Sequence, residues 1–289
     1  MKKLAVISGK GGTGKTMMTG ALATLASGRI ALADCDVDAA NLEILLSPEM
    51  ISSEPYYGQK VSFIDNDLCI WCGSCKDSCR FDAIVYENDR FRVNPQKCEG
   101  CAVCTIVCPA GATSMISQEK GRIFLSKTSI GLLAHARLNP GSGSSGLLIT
   151  EVRKLIDRNA GDADLLLIDG PPGIGCPLIA TVSGVDAVLV VTEPSRSGLH
   201  DLQRVIRVAE DFGVDVYVAI NRYDLEEDVS AEITDYCTEI GVKIVGRIPF
   251  DSNVIRAVRN MEPVTVYDTP AASAIKELWN IISTDMGII

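Results

Sequence analysis

Eight of the eleven cysteines in this 289-residue chain stand in two copies of one pattern. Cys69, Cys72, Cys75 and Cys79 form the first copy, and Cys98, Cys101, Cys104 and Cys108 the second. Each reads C-x2-C-x2-C-x3-C, and each member of the second lies 29 residues beyond its counterpart. No other feature restricts the fold so strongly. Zinc sites take separated pairs of cysteines rather than sequential runs. A disulfide framework belongs to exported chains. The spacing suits thiolate ligation of two [4Fe–4S] clusters by these eight cysteines. Such metal bonds let a segment too small for its own core hold a shape. Pro109 follows the second run as this pattern usually has it; Arg80 takes that place after the first.

The rest of the chain is long enough for a full α/β core. Apolar residues make up 47% and aromatics 5%, and the formal charge is −10. An acidic protein of this kind is not expected to bind nucleic acid or an anionic membrane without a specific site. Met1-Lys2-Lys3 leads straight into an apolar run with no secretory leader pattern, so a cytoplasmic location is expected. No apolar run reaches membrane-spanning length, so no stable membrane insertion is expected.

Short apolar segments alternate with helical patterns on either side of the cysteine-rich stretch. Strands are expected at 4–8, 30–33, 165–168, 187–191, 216–220 and 243–247. Helices are expected at 16–26, 41–46, 147–159, 199–212, 229–240, 253–260 and 271–282. This alternation implies an α/β fold with a mostly parallel sheet and helices on both faces. The composition changes near Ser53 and again near Lys127. Residues 1–53 and 128–289 therefore form one core, interrupted by a small α+β insert at 54–127 with an internal repeat. Residues 138–146 read as a flexible loop by composition.

Gly9-Lys10-Gly11-Gly12-Thr13-Gly14-Lys15-Thr16 follows the first strand and opens the first helix. It satisfies G-x-x-x-x-G-K-[ST]: backbone N–H groups cradle phosphates, Lys15 reaches the β/γ oxygens and the Thr16 hydroxyl binds Mg2+. The overlapping G-x-G-x-x-G pattern is rejected, because Lys15 and Thr16 have no role at a dinucleotide pyrophosphate. Asp34-Cys35-Asp36-Val37-Asp38 ends the second strand, and Asp169 ends the strand at 165–168. Asp38 reads most simply as a helix N-cap.

The second lysine of the loop, Lys10, makes the segment resemble the MinD/ParA/Mrp class of P-loop ATPases, whose deviant loop reads K-G-G-x-G-K-T. The cysteine runs likewise resemble a bacterial-type ferredoxin, here inserted into that ATPase. In such ferredoxins the fourth cysteine of each run serves the other cluster, so this resemblance implies the ligand sets Cys69, Cys72, Cys75 and Cys108, and Cys98, Cys101, Cys104 and Cys79. In the ATPase class the first lysine crosses a dimer interface to the partner's nucleotide, so the resemblance implies an ATP-sandwiched homodimer with Lys10 acting like an arginine finger. A cation there would stabilise charge on the transferring phosphoryl group. The match assigns the hydrolytic role to Asp36 in switch I. It makes Asp34 its upstream, Mg2+-supporting partner and gives Asp169 of switch II the Mg2+ water shell. It assigns phosphate contact to Gly11, Gly12, Thr13 and Gly14, and base contact to Asn221 and to the Pro249–Asp251 segment. Asn221-Arg222-Tyr223-Asp224 also looks like the guanine reader of GTPases. The remainder matches the ATP-using branch, so ATP is expected. Asp224 reads equally as a strand terminator or a base contact.

The function implied is ATP hydrolysis coupled to electron transfer through two [4Fe–4S] clusters, with a redox partner protein. The alternative is an Mrp-like carrier serving a metal-cofactor client; no C-x-x-C follows Cys176 to hold a labile cluster. A MinD-like positioning ATPase is a third reading, and its membrane branch needs a basic amphipathic tail that 274–282 does not supply. Cys35 and Cys237 read as buried apolar-like residues. Cys176 lies seven residues after Asp169, near where the nitrogenase iron protein places a ligating cysteine; it reads as a switch residue without metal, the alternative being a metal held with help from His135.

Overall fold

The computed structural model describes residues 1–142 and 145–288. The chain begins with β1 (Lys2–Ser8), α1 (Lys15–Leu25), β2 (Ile30–Asp34), α2 (Leu42–Leu46) and β3 (Glu49–Tyr57). The cysteine-rich stretch carries β4 (Val61–Ile64), α3 (Ser74–Asp77), β5 (Ile84–Glu87), β6 (Arg90–Val93), α4 (Val103–Val107) and β7 (Thr113–Ile116). Next come β8 (Glu119–Lys127), β9 (Gly131–Leu138), α5 (Ser145–Asn159), β10 (Leu165–Pro172), α6 (Cys176–Val182), β11 (Ala187–Thr192) and α7 (Arg196–Asp211). The chain closes with β12 (Asp215–Asn221), α8 (Glu227–Glu239), β13 (Lys243–Ile248), α9 (Ser252–Arg259) and α10 (Pro270–Met286).

Two compact units result: residues 1–53, 123–137 and 145–289 form one, and 54–122 with 138–144 the other. The large sheet has the order β13-β12-β11-β1-β10-β2-β9-β8-β3. Every pair from β13 to β9 is parallel. Strands buried on both faces read as unbroken apolar runs, and β1, β10 and β11 are such runs. Leu4, Val6, Leu165, Leu167, Leu189 and Val191 pack with α1 and α10 residues such as Leu22, Ile275 and Leu278. By the two-residue period of a strand, the intervening Ala5, Ile7, Leu166 and Ile168 fill the opposite layer, where α5 to α8 lie.

Three strands differ from expectation. β9 joins the main sheet beside β2, pairing Ile30 to Gly131 and Ala33 to Ala134, while β8 and β3 extend the sheet beyond it. Gly131 is required there, because a β-carbon would run into the Ile30 carbonyl. The loop expected at 138–146 is shorter than its composition suggests: Leu138 ends β9 and α5 starts at Ser145, with residues 143 and 144 outside the described set. Asp38 does not cap a helix; α2 starts at Leu42, after Asn41.

The cysteine-rich unit shows its repeat in the backbone. β4 pairs antiparallel with β7, and β5 with β6. Trp71, Gly73 and Asp82 have positive φ, and so do Gly100, Ala102 and Gly111, each 29 residues on. For non-glycine residues this conformation costs energy, so the same turns are imposed twice. Asn88 and Asp89, both at positive φ, form the two-residue turn that the β5–β6 hairpin needs.

In the larger unit, His135 on β9 is buried between Ser126 and Glu43. Its Nε2 lies 3.1 Å from Ser126 Oγ and its Nδ1 3.2 Å from Glu43 Oε2. Burial lowers its pKa, aided by Arg137 and opposed by Glu43. The unfolded chain therefore takes up this proton at higher pH than the folded one, and stability falls as pH drops below about 6.5. The slope is at most about 1.4 kcal/mol per pH unit from this one group. His135→Gln should flatten the fall in urea midpoint between pH 7.5 and 5.5; equal slopes in the two proteins would show that His135 does not drive it.

Candidate functional site

The Gly9–Gly14 loop lies at the carboxyl end of β1, the edge where open α/β sheets bind ligands. Gly12 and Gly14 have φ of 83° and 94°. Gly14 immediately precedes α1, and a β-carbon there would strike the Asn221 amide. That amide donates to the Thr13 carbonyl at 2.7 Å, fixing the loop from β12. The Thr13 hydroxyl is buried without a hydrogen-bond partner. A loop of N–H groups at a helix start, with an unsatisfied buried hydroxyl, fits an anionic phosphate. The cleft has a volume of about 480 Å3 and is lined by Gly11, Gly12, Thr13, Lys15, Thr16 and Asp36 among others.

The expected charged groups converge. Lys15 Nζ lies 3.3 Å from Asp36 Oδ2 and 3.4 Å from Asp169 Oδ1. Burial opposes the Lys15 charge, but Asp169 and Asp36 outweigh it and raise its pKa. Thr16 donates to Asp169 Oδ2 at 2.6 Å, and Thr19 to Oδ1 at 3.1 Å. Burial raises the Asp169 pKa against the pull of Lys15 and these hydroxyls. Asp34 is fully buried, and burial with the nearby Asp169 pushes its pKa well up. Its two oxygens accept the N–H groups of Asp36 at 3.1 Å and Leu42 at 3.0 Å. Asp34 thus shapes the loop that presents Asp36. Several carboxylates around one ammonium leave the site short of positive charge. Thr16 and Asp169 could hold a hard divalent cation through oxygen.

Lys10 does not line this cleft. Its Nζ is 2.6 Å from Glu193 Oε1, 3.1 Å from Ser195 Oγ and 3.2 Å from Ser197 Oγ. Glu193 also lies 3.5 Å from Arg222. These partners follow β11 and were missed from sequence, as was Thr19.

Gly14, Met17, Asn221, Arg222, Pro249 and Asp251 line a second cleft of about 300 Å3, in the range of small-ligand sites. Asn221, Pro249 and Asp251 thus meet beside the phosphate loop. The Asp251 carboxylate caps α9 through the Asn253 N–H at 2.8 Å, and burial, which would raise its pKa, is outweighed by such N–H donors. Asp224 accepts the Phe250 N–H at 2.7 Å. It therefore orders the Pro249–Asp251 loop.

In the cysteine-rich unit, Cys79 lines one cavity with Cys98, Cys101 and Cys104. Hydrogen bonds with Ser74 lower the Cys72 pKa, and burial raises that of Cys75. Cys79 is thus found with the second run, and it also packs against the small core that holds Cys75 and Phe91. Sulfur-directed donors are present: Ser62 N–H reaches Cys98 Sγ at 3.4 Å and Ala112 N–H reaches Cys108 Sγ at 3.3 Å. Among the described residues no three His, Cys, Asp or Glu side chains converge on a single ion position. Cys176 is exposed at the start of α6, and His135 is buried with Ser126 and Glu43. Cys35 is fully buried, which pushes its thiol pKa up, and burial raises that of Cys237 to about 11.

The fold, the glycine loop and the acidic strand ends define a P-loop nucleotide-binding protein. The chain belongs to the CobQ/CobB/MinD/ParA nucleotide-binding family, whose domain matches residues 4–264. It is 34% identical over 279 residues to an uncharacterised protein of Methanocaldococcus jannaschii, covering 96% of this chain and 95% of that one. It is 24% identical over 298 residues to an iron–sulfur cluster carrier protein of Pyrococcus horikoshii, covering 96% and 83%. In structure it resembles the septum site-determining protein MinD of Pyrococcus horikoshii complexed with Mg-ADP, with a TM-score of 0.59, 19% identity and coverage of 99% and 98%. Among the described residues no helix is long and apolar enough to cross a membrane.

Proposed function

We propose that this protein is an ATPase that couples nucleotide state to electron transfer through two [4Fe–4S] clusters. The observation that carries the reading is the convergence of four cysteines: Cys79 lines one cavity with Cys98, Cys101 and Cys104. A four-iron cluster is larger than one ion and needs its thiolates around a space rather than drawn to a point. Cys69, Cys72, Cys75 and Cys108 would hold one cluster, and the other four cysteines the second. The clusters would supply one-electron chemistry.

At the nucleotide, Gly11, Gly12, Thr13 and Gly14 hold phosphate oxygens, Lys15 neutralises them, and Thr16 and Asp169 hold Mg2+. Asp36 orients the attacking water. Asn221, Pro249 and the Asp251 segment enclose the base. Relatives of the MinD/ParA kind commonly dimerise on ATP, and Lys10 is proposed to reach the partner's nucleotide in such a dimer. The route for coupling is partly in the backbone. Asp34 holds the Leu42 N–H, and the next residue, Glu43, meets Arg137 at 2.6 Å on β9. β9 runs directly into residues 138–144, part of the cysteine-rich unit. Switch I is thereby tied to β9 by a hydrogen bond and an ion pair. Coupling requires ATP to prefer one of two conformations.

The test is anaerobic reconstitution followed by iron and sulfide counts, ATP hydrolysis, and the rate of cluster reduction with ADP, with ATP and without nucleotide. About eight irons per chain and nucleotide-dependent reduction are expected. Identical rates in all three states would refute gating. The P. horikoshii relative named as a carrier supports a second reading, cluster donation; ATP-dependent transfer of iron to an apo-acceptor would favour it over electron transfer.

A further inference from the structure

The two halves of the cysteine-rich unit differ at one pair of corresponding positions. Ser62 on β4 precedes Cys69 by seven residues, and Phe91 on β6 precedes Cys98 by the same interval. The repeat makes them counterparts, and each strand passes beside the other half's cysteines. Phe91 is buried with Cys75 in a small core against which Cys69, Cys79 and Cys104 pack. Its side chain is an apolar ring without a donor for sulfur. Ser62 is 5% exposed and lines the cavity shared by Cys79, Cys98, Cys101 and Cys104. Its N–H points to Cys98 Sγ at 3.4 Å, and its Oγ lies 3.1 Å from Cys104 Sγ.

In the free thiol form Cys104 donates to Ser62. Once Cys104 is a metal-bound thiolate it has no proton, so the hydroxyl must be the donor. One buried residue then gives two hydrogen bonds to two sulfurs of a single cluster. Reduction by one electron adds a negative charge to the cluster and its thiolates. A donor aimed at sulfur stabilises the reduced form more than the oxidised form, and it does so strongly where water is excluded. The other set has its own donors, Ala112 N–H to Cys108 and Ser74 Oγ at 3.4 Å from Cys72. Cys72 is exposed, so water competes for its hydrogen bond.

Resting on the cluster reading above, we propose that Ser62 is a tuning residue that raises the reduction potential of the cluster held by Cys79, Cys98, Cys101 and Cys104 and leaves its neighbour's unchanged. The repeat is thus symmetric in its ligands and asymmetric in its electronics, because Phe91 occupies the matching place.

The experiment compares the full-length, anaerobically reconstituted wild type with Ser62→Ala and Ser62→Thr by iron count and by EPR at poised potentials. In Ser62→Ala one of the two reduction waves should move to a more negative potential. The expected size is roughly tenfold in reduction equilibrium, about 59 mV for one electron, with the other wave fixed. Ser62→Thr, which keeps the hydroxyl, should hold both waves in place. Unmoved waves, or two waves shifting together, with iron intact would overturn the proposal. So would loss of iron from Ser62→Ala, which would make Ser62 a structural residue. A wild type without about eight irons per chain would overturn the cluster reading beneath it, and the iron count distinguishes that failure from the others.

Discussion

Lys10→Ala should bind ATP nearly as well as the wild type and hydrolyse it about a thousandfold more slowly or worse, the range seen when a transition-state cation is removed. Lys15→Ala should lose both binding and turnover. The difference follows from where the two ammonium groups lie. Lys15 is inside the glycine-loop cleft, between Asp36 and Asp169, where a bound phosphate would meet it in the ground state and the transition state alike. Lys10 is turned away, held by Glu193, Ser195 and Ser197, and its removal leaves the lining of that cleft intact. An interaction made only in the transition state lowers turnover without weakening substrate binding. Glu193→Ala should not reproduce the Lys10 defect, since it frees the lysine rather than deleting it. The measurements are ATP affinity by calorimetry and single-turnover hydrolysis. If Lys10→Ala turns over within a few-fold of wild type, Lys10 is a surface ion-pair residue and no more.

What could be read from the chain depended on how local the signal was. The phosphate loop is contiguous, and its geometry follows from glycines that adopt positive φ before a helix, so Gly12, Gly14, Lys15 and Thr16 fall where the pattern puts them. Asp36 and Asp169 were legible because apolar parallel strands end in polar residues at the ligand edge. Orientation was not legible. Asp34 and Asp36 share one short acidic run, yet one carboxylate serves backbone N–H groups and the other faces Lys15. Only the path of the chain toward Leu42 decides between them. Glu193 and the two serines lie far in sequence from Lys10, and no periodicity announces such a contact. β9 was missed for a related reason. Gly131–Leu138 is a short run with no turn signal to separate it from the insert, and its place in the sheet depends on pairing with β2, about a hundred residues earlier.

Cys79→Ala should damage the cluster of the second run, and Cys108→Ala that of the first. Single variants cannot separate this from uncrossed ligation, because either arrangement loses one cluster. Pairs can. If Cys79 and Cys101 serve the same cluster, the double variant Cys79→Ala/Cys101→Ala injures only that one and should keep one intact [4Fe–4S] signal, roughly four irons per chain. Cys79→Ala/Cys72→Ala strikes both clusters and should leave no intact signal. Uncrossed ligation inverts these outcomes, since Cys79 and Cys72 would then share a site. The cavity that Cys79 lines with Cys98, Cys101 and Cys104 favours the crossed result. The crossed arrangement also has a mechanical consequence. Each cluster then joins α3 and its loop to α4 and its loop, and the small core around Ile64, Ile84 and Phe91 is too slight to hold the two halves by itself. Metal removal by a chelator should therefore open this unit to protease well before the nucleotide-binding unit is cut, and ATP should not protect it.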